Sequence, residues 1–131
     1  MKSRDGLIRL KRFQVEEKRR RVAQIEAMIG EFSRMAGELD REIALEEKRA
    51  GITDPNHFAY PTYAKAATAR RDNLKRSKGE LEGQLAEAKA SLDEAIEEFR
   101  KVEALDGREK AAERVIDRPD LDLMAMHGAR A

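Results

Sequence analysis

Three kinds of residue in this 131-residue chain have the chemistry of a functional site: two histidines, a set of paired glutamates, and two clusters built for contact rather than reaction. His57 and His127 lie far apart with no ligand-spaced partner, and no Cys is present, so neither a metal site nor a thiol nucleophile is expected. Gly79-Glu80-Leu81-Glu82-Gly83 lacks the Lys and Ser/Thr that let a glycine loop cradle phosphates. Glu16-Glu17, Glu46-Glu47 and Glu97-Glu98 would act as acids or bases only inside a pocket that moves their pKa values. Their setting reads instead as charged helix surface, so no catalysis and no cofactor are expected.

The contact residues are more telling. Lys11, Arg12, Lys18, Arg19, Arg20 and Arg21 form a basic stretch, extended by Arg9. Glu16 and Glu17 interrupt it and no aromatic platform accompanies it, which argues against nucleic acid and for a solvated or partner-facing segment. Phe58, Tyr60 and Tyr63 make up half of the six aromatic residues and lie close together. They have two readings, a small cluster that closes a helical hairpin and a docking site for a partner.

Composition names the elements that must carry these residues. Lys and Arg number 27 and Asp and Glu 26, a net charge of +1 at 40% charged residues. Ala, Glu, Lys, Leu and Arg dominate, as in long helices and coiled coils. No apolar run approaches the length of a membrane span and no signal-peptide core follows the N-terminus, so a cytoplasmic protein without membrane insertion is expected. The segment Ala50-Gly51-Ile52-Thr53-Asp54-Pro55-Asn56, with Pro61 after it, reads as a helix stop, a cap and a restart. Pro119 ends the second helical pattern. The expected fold is all-α: helix 1 over 5–50, a bend over 51–60, helix 2 over 61–117, and a flexible tail over 118–131. A helix of that first length would reach roughly 69 Å, a rod rather than a globule.

Heptad spacing supplies the seam. In the first segment one series runs Ile8, Val15, Val22, Ile29, Ala36, Ile43 and Ala50, the other Lys11, Lys18, Ile25, Phe32, Leu39 and Glu46. In the second, Leu74, Leu81, Ala88, Ala95 and Val102 interleave with Lys78, Leu85, Leu92 and Phe99, fading at Asp106, Glu109 and Glu113. Gly30, Gly37, Gly79, Gly83 and Gly107 fall at outward positions.

Charge then decides the pairing. Lys11–Arg21 holds six basic residues against two acidic, and Asp93–Glu103 five acidic against two basic. Glu31–Glu47 holds six acidic against two basic, and Lys65–Lys78 six basic against one acidic. A chain folding back near Asn56 sets residue i opposite roughly residue 112 − i, so each block meets its opposite. A parallel homodimer would stack each block on its own copy. Single exposed ion pairs contribute only ~0.2–1 kcal/mol, yet their sum selects the antiparallel hairpin. Leu10, Met28, Met35 and Ile96 stay outside the two stripes, which leaves the state open between monomer and weak dimer.

Two segments resemble the FliJ family of the flagellar type III export apparatus in its alphaproteobacterial form. One is Met1-Lys2-Ser3-Arg4-Asp5 with Leu7-Ile8-Arg9-Leu10-Lys11-Arg12-Phe13-Gln14-Val15; the other is the bend, where Gly51, Ile52, Phe58, Tyr60 and Tyr63 match in order. Lys101-Val102-Glu103-Ala104-Leu105 and Arg108-Glu109 are similar to the family's closing segment. The resemblance implies an antiparallel two-helix stalk similar to the central stalk of rotary ATPases, peripherally associated with the inner-membrane export apparatus. It implies as partners the ring-forming export ATPase FliI, its regulator FliH, the export gate FlhA and export chaperones. Lys11, Arg12, Lys18, Arg19, Arg20 and Arg21 would then face the ATPase ring, and Phe58, Tyr60 and Tyr63 the gate. An injectisome stalk, a generic coiled-coil scaffold and a nucleic-acid-associated coiled coil are the alternative readings.

Overall fold

A computed structural model describes residues 2–116; the side chains of residues 2, 3 and 116 are outside the description, as are the tail over 118–131 and His127. The described chain is two helices packed antiparallel against each other, α1 (Lys2–Ala50) and α2 (Thr62–Ile116), an all-α helical hairpin. Contacts divide it into two compact units: Met1–Glu17 with Leu92–Ala131, and Lys18–Ser91.

In the second unit the seam is the expected one. Val22, Ile25, Ala36 and Ile43 are buried from α1, with Ile25 only 1% exposed, and Leu81 is buried from α2. The α2 seam begins earlier than Leu74, because Tyr60, Ala64 and Ala67 are buried and Arg71 is half-buried. These positions continue the four-three spacing backwards, and the two alanines let the backbones approach where the chain turns. Asp40 of α1 accepts a 3.0 Å ion pair from Arg71. An acid from the end of α1 thus meets a base from the start of α2. In the first unit Val15, Ala95 and Val102 are buried, and Arg4–Glu109 (2.7 Å) and Lys11–Glu98 (2.9 Å) join the two helices. These three ion pairs lie within one helical turn of the expected mirror register.

Not every heptad position is covered. Lys18 and Ala50 are exposed, since an ammonium resists burial and Ala50 is the last residue of its helix. Lys11 is half-buried because Glu98 neutralises it while its methylene stem packs. The acidic positions where the α2 stripe fades still face the seam: Asp106, Glu109 and Glu113 are half-buried, with Lys110 bonding Asp106 at 3.0 Å.

The bend follows from its residue types. Gly51 sits at φ +69°, the left-handed conformation that ends a helix, and its N–H donates to the Glu47 carbonyl at 2.9 Å. Asp54 and Pro55 open a turn in which the Asp54 carboxylate accepts the Asn56 N–H (2.9 Å) and its carbonyl the His57 N–H (3.1 Å). Asp54 therefore caps this turn rather than α2. A second turn is closed by Tyr60 N–H to the His57 carbonyl at 3.0 Å. Pro61 stands just before α2 and supplies the carbonyl for its first bond, from Lys65 N–H at 3.1 Å. The helix starts one residue later than expected for that reason. At the other end α1 extends back to Lys2, as Asp5 in its first turn complements the positive end of the helix dipole.

Candidate functional site

The two turns of the bend separate the three aromatics into different tasks. Tyr60, ending the second turn, is buried, and its hydroxyl donates to the Glu47 carboxylate at 3.1 Å. Burial first, and the Glu47 bond second, raise its pKa above the ordinary phenol value. Tyr63 lies in the first turn of α2, half out in solvent, and its hydroxyl donates to Glu42 at 2.7 Å; that bond, then desolvation, raises its pKa too. Phe58 occupies the position of the second turn that points away from the chain, and it is 97% exposed. Its only ring neighbour among the described residues is His57, stacked with centroids 4.8 Å apart. His57 Nδ1 in turn accepts the Ala59 N–H at 3.0 Å, which locks the imidazole and keeps Phe58 presented. Tyr60 therefore closes the hairpin, Tyr63 ties α2 to α1 while half exposed, and Phe58 is the one offered outward almost entirely. Sequence spacing shows the cluster but not this division, which depends on turn geometry.

The basic residues also divide. In the first unit Lys11 is held by Glu98 and the Arg12 guanidinium lies 5.6 Å from the Phe99 ring centroid, a cation–π contact. Both are engaged within their own unit. In the second unit Lys18, Arg19, Arg20 and Arg21 are exposed on α1. Lys18 and Arg21 border an open groove with Gln84, Glu87, Ala88 and Ser91 of α2, two small side chains beside an amide and a carboxylate. Arg19 and Arg20 stand on the side of the helix away from that groove by heptad position.

Among the described residues no group of three His, Cys, Asp or Glu could hold a metal ion, and no helix is long and apolar enough to cross a membrane. The chain was compared with known family profiles, with curated proteins and with solved structures, and it matches none of them.

Proposed function

We propose that this protein is a non-enzymatic stalk and escort component of the flagellar type III export apparatus. In this reading it binds the export ATPase FliI, alongside its regulator FliH, promotes ring assembly and activity, and couples the ring to the gate FlhA and to export chaperones. It works in the cytoplasm at the inner-membrane apparatus. The observation that carries the reading is the bend, where the resemblance to the FliJ family is strongest. Gly51 supplies the left-handed stop, Tyr60 and Tyr63 fasten the two helices, and Phe58 is left 97% exposed as the apolar group for a partner. The exposed run Lys18–Arg21 supports the second contact, because long cations on a helix engage acidic or carbonyl groups lining a pore. Such binding weakens as salt screens it.

The test mixes the purified chain with the export ATPase and follows hydrolysis and ring formation. Stimulation that falls with salt is expected, and replacing Arg19, Arg20 and Arg21 by Glu should reduce it more than Phe58→Ala. Phe58→Ala should instead weaken binding to the gate. A complete absence of both stimulation and association at low salt would refute the proposal, and the reverse order of the two variants would reverse the assigned ends.

A further inference from the structure

The bend uses one hydrogen-bond pattern twice in succession. In the first turn the Asp54 carboxylate accepts the Asn56 N–H (2.9 Å), while the Asp54 carbonyl accepts the His57 N–H (3.1 Å). Three residues on, His57 Nδ1 accepts the Ala59 N–H (3.0 Å), while the His57 carbonyl accepts the Tyr60 N–H (3.0 Å). Each time, a side-chain atom bonded to Cγ takes the N–H two residues ahead and the carbonyl takes the N–H three ahead. Asp and Asn are the usual residues for this turn, because their side-chain oxygen reaches that N–H. The second turn has an imidazole nitrogen in the oxygen's place, and it is the turn that carries Phe58.

Nitrogen in place of oxygen makes the second turn sensitive to protons. Only a neutral imidazole with its hydrogen on Nε2 has a lone pair on Nδ1; an imidazolium donates from both nitrogens and accepts at neither. Imidazoles change charge between about pH 5 and 8, whereas carboxylates go on accepting across that range. His57 is exposed, so protons reach it. The charged groups flanking the bend are Asp54 in the preceding turn, Glu46, Glu47, Lys48 and Arg49 at the end of α1, and Lys65 at the start of α2. The carboxylates are already engaged: Asp54 by the Asn56 N–H, Glu47 by the Tyr60 hydroxyl and Glu46 by Arg49 at 3.4 Å. Charging the imidazole does not break its stack on Phe58, since a cation sits well over an aromatic face. It detaches the stacked pair from the backbone of the turn.

We propose that His57 is a pH-sensitive positioning residue for Phe58: the neutral imidazole ties the stacked pair to the second turn, and protonation unties it while the first turn stays closed. The tie is a property of the free chain. Its consequence, weaker docking through Phe58 in acid, rests on the docking role proposed above.

Heteronuclear NMR of the full-length chain between about pH 7.5 and 5 tests the tie with no partner present. The neutral His57 ring should carry its hydrogen on Nε2. As the ring takes up a second proton, the Ala59 amide proton should move upfield along the same curve. Its protection from exchange, corrected for the intrinsic effect of pH, should fall about twofold to tenfold. The Asn56 amide, held by Asp54, should move far less. His57→Asn puts an uncharged oxygen on Cγ and should keep the Ala59 amide bonded across the whole range, although His127 still titrates. His57→Ala should leave that amide unbonded at every pH. Four results would overturn the proposal: a neutral ring with its hydrogen on Nδ1, an Ala59 amide that does not follow the ring, an Asn56 amide that moves as much, or a His57→Asn chain that responds as the original does. Binding to the ATPase or the gate enters none of these signals, so the tie and the export reading fail separately.

Discussion

The same substitution, Gly to Ala, should have opposite signs at two kinds of site within the second unit. Gly30, Gly79 and Gly83 lie inside α1 and α2 with ordinary helical φ, and a methyl added at each would meet no other atom within 4 Å. Each replacement then removes only the excess backbone freedom of glycine, a gain of about 0.8–1 kcal/mol per site. Gly30 stands on the other helix and adds independently, while Gly79 and Gly83 are one turn apart on α2, where two small methyls meet at most lightly, so the three should sum to about 2–3 kcal/mol. At this chain length each kcal/mol raises Tm by about 3–5 °C, so the triple variant should melt roughly 6–15 °C higher. Gly51 also has open space around it, but its φ of +69° places a Cβ against its own backbone. Gly51→Ala should therefore cost about 1–2 kcal/mol and lower Tm. Circular dichroism at 222 nm through a thermal ramp reads all four changes. A triple variant no more stable than the original, or Gly51→Ala without loss, would refute the assignment of these glycines to helix interiors and to the helix stop.

Ile25→Ala removes the largest fully buried side chain of the seam and should cost about 2–5 kcal/mol, read as a lowered midpoint in urea. A double-mutant cycle on Asp40→Ala and Arg71→Ala should return a coupling below about 1 kcal/mol, since both groups keep solvent contact. The pKa values of Tyr60, Tyr63 and Lys110 are all raised by folding. A raised value means that the folded state holds the proton longer, so its stabilisation is complete below the unfolded value, near pH 10 for tyrosine, and is lost as pH climbs through the folded value. Alkaline melts above about pH 10 should show falling Tm, and the slope should flatten in a Tyr60→Phe, Tyr63→Phe variant.

The seam and its register were legible because they rest on spacing and charge, both of which act in proportion to sequence distance along a helix. Val15, Val22, Ile25, Ala36 and Ile43 are where the heptad puts them, Lys11–Glu98 and Asp40–Arg71 follow from the opposed blocks, and Arg4–Glu109 lies outside those blocks in the same register. The start of the α2 seam was hidden because Ala64 and Ala67 carry little apolar weight. Their four-three step back from Leu74 through Arg71 was the available signal. Asp54 is a cap, as its residue type suggests, but sequence does not say of what, because Asp caps turns and helices with the same oxygen; Pro55 decides for the turn. The candidate contact residues were visible as clusters. Which of them face outward was not, because burial of Tyr60 and exposure of Phe58 are set by two successive tight turns.

The central claim is that one chain doubles back, so that α1 and α2 of the same molecule lie side by side in each unit. The chain has no Cys, so pairs of introduced cysteines carry spin labels at chosen sites only. Arg9 and Glu103 line one groove in the first unit, and Arg21 and Glu87 line one in the second. With packed helix axes about 8–10 Å apart, each labelled pair should give a narrow distance distribution centred at about 20 Å, unchanged when the labelled protein is diluted with unlabelled chain. Distributions that are broad and far longer, or a short distance that disappears on dilution, would contradict it.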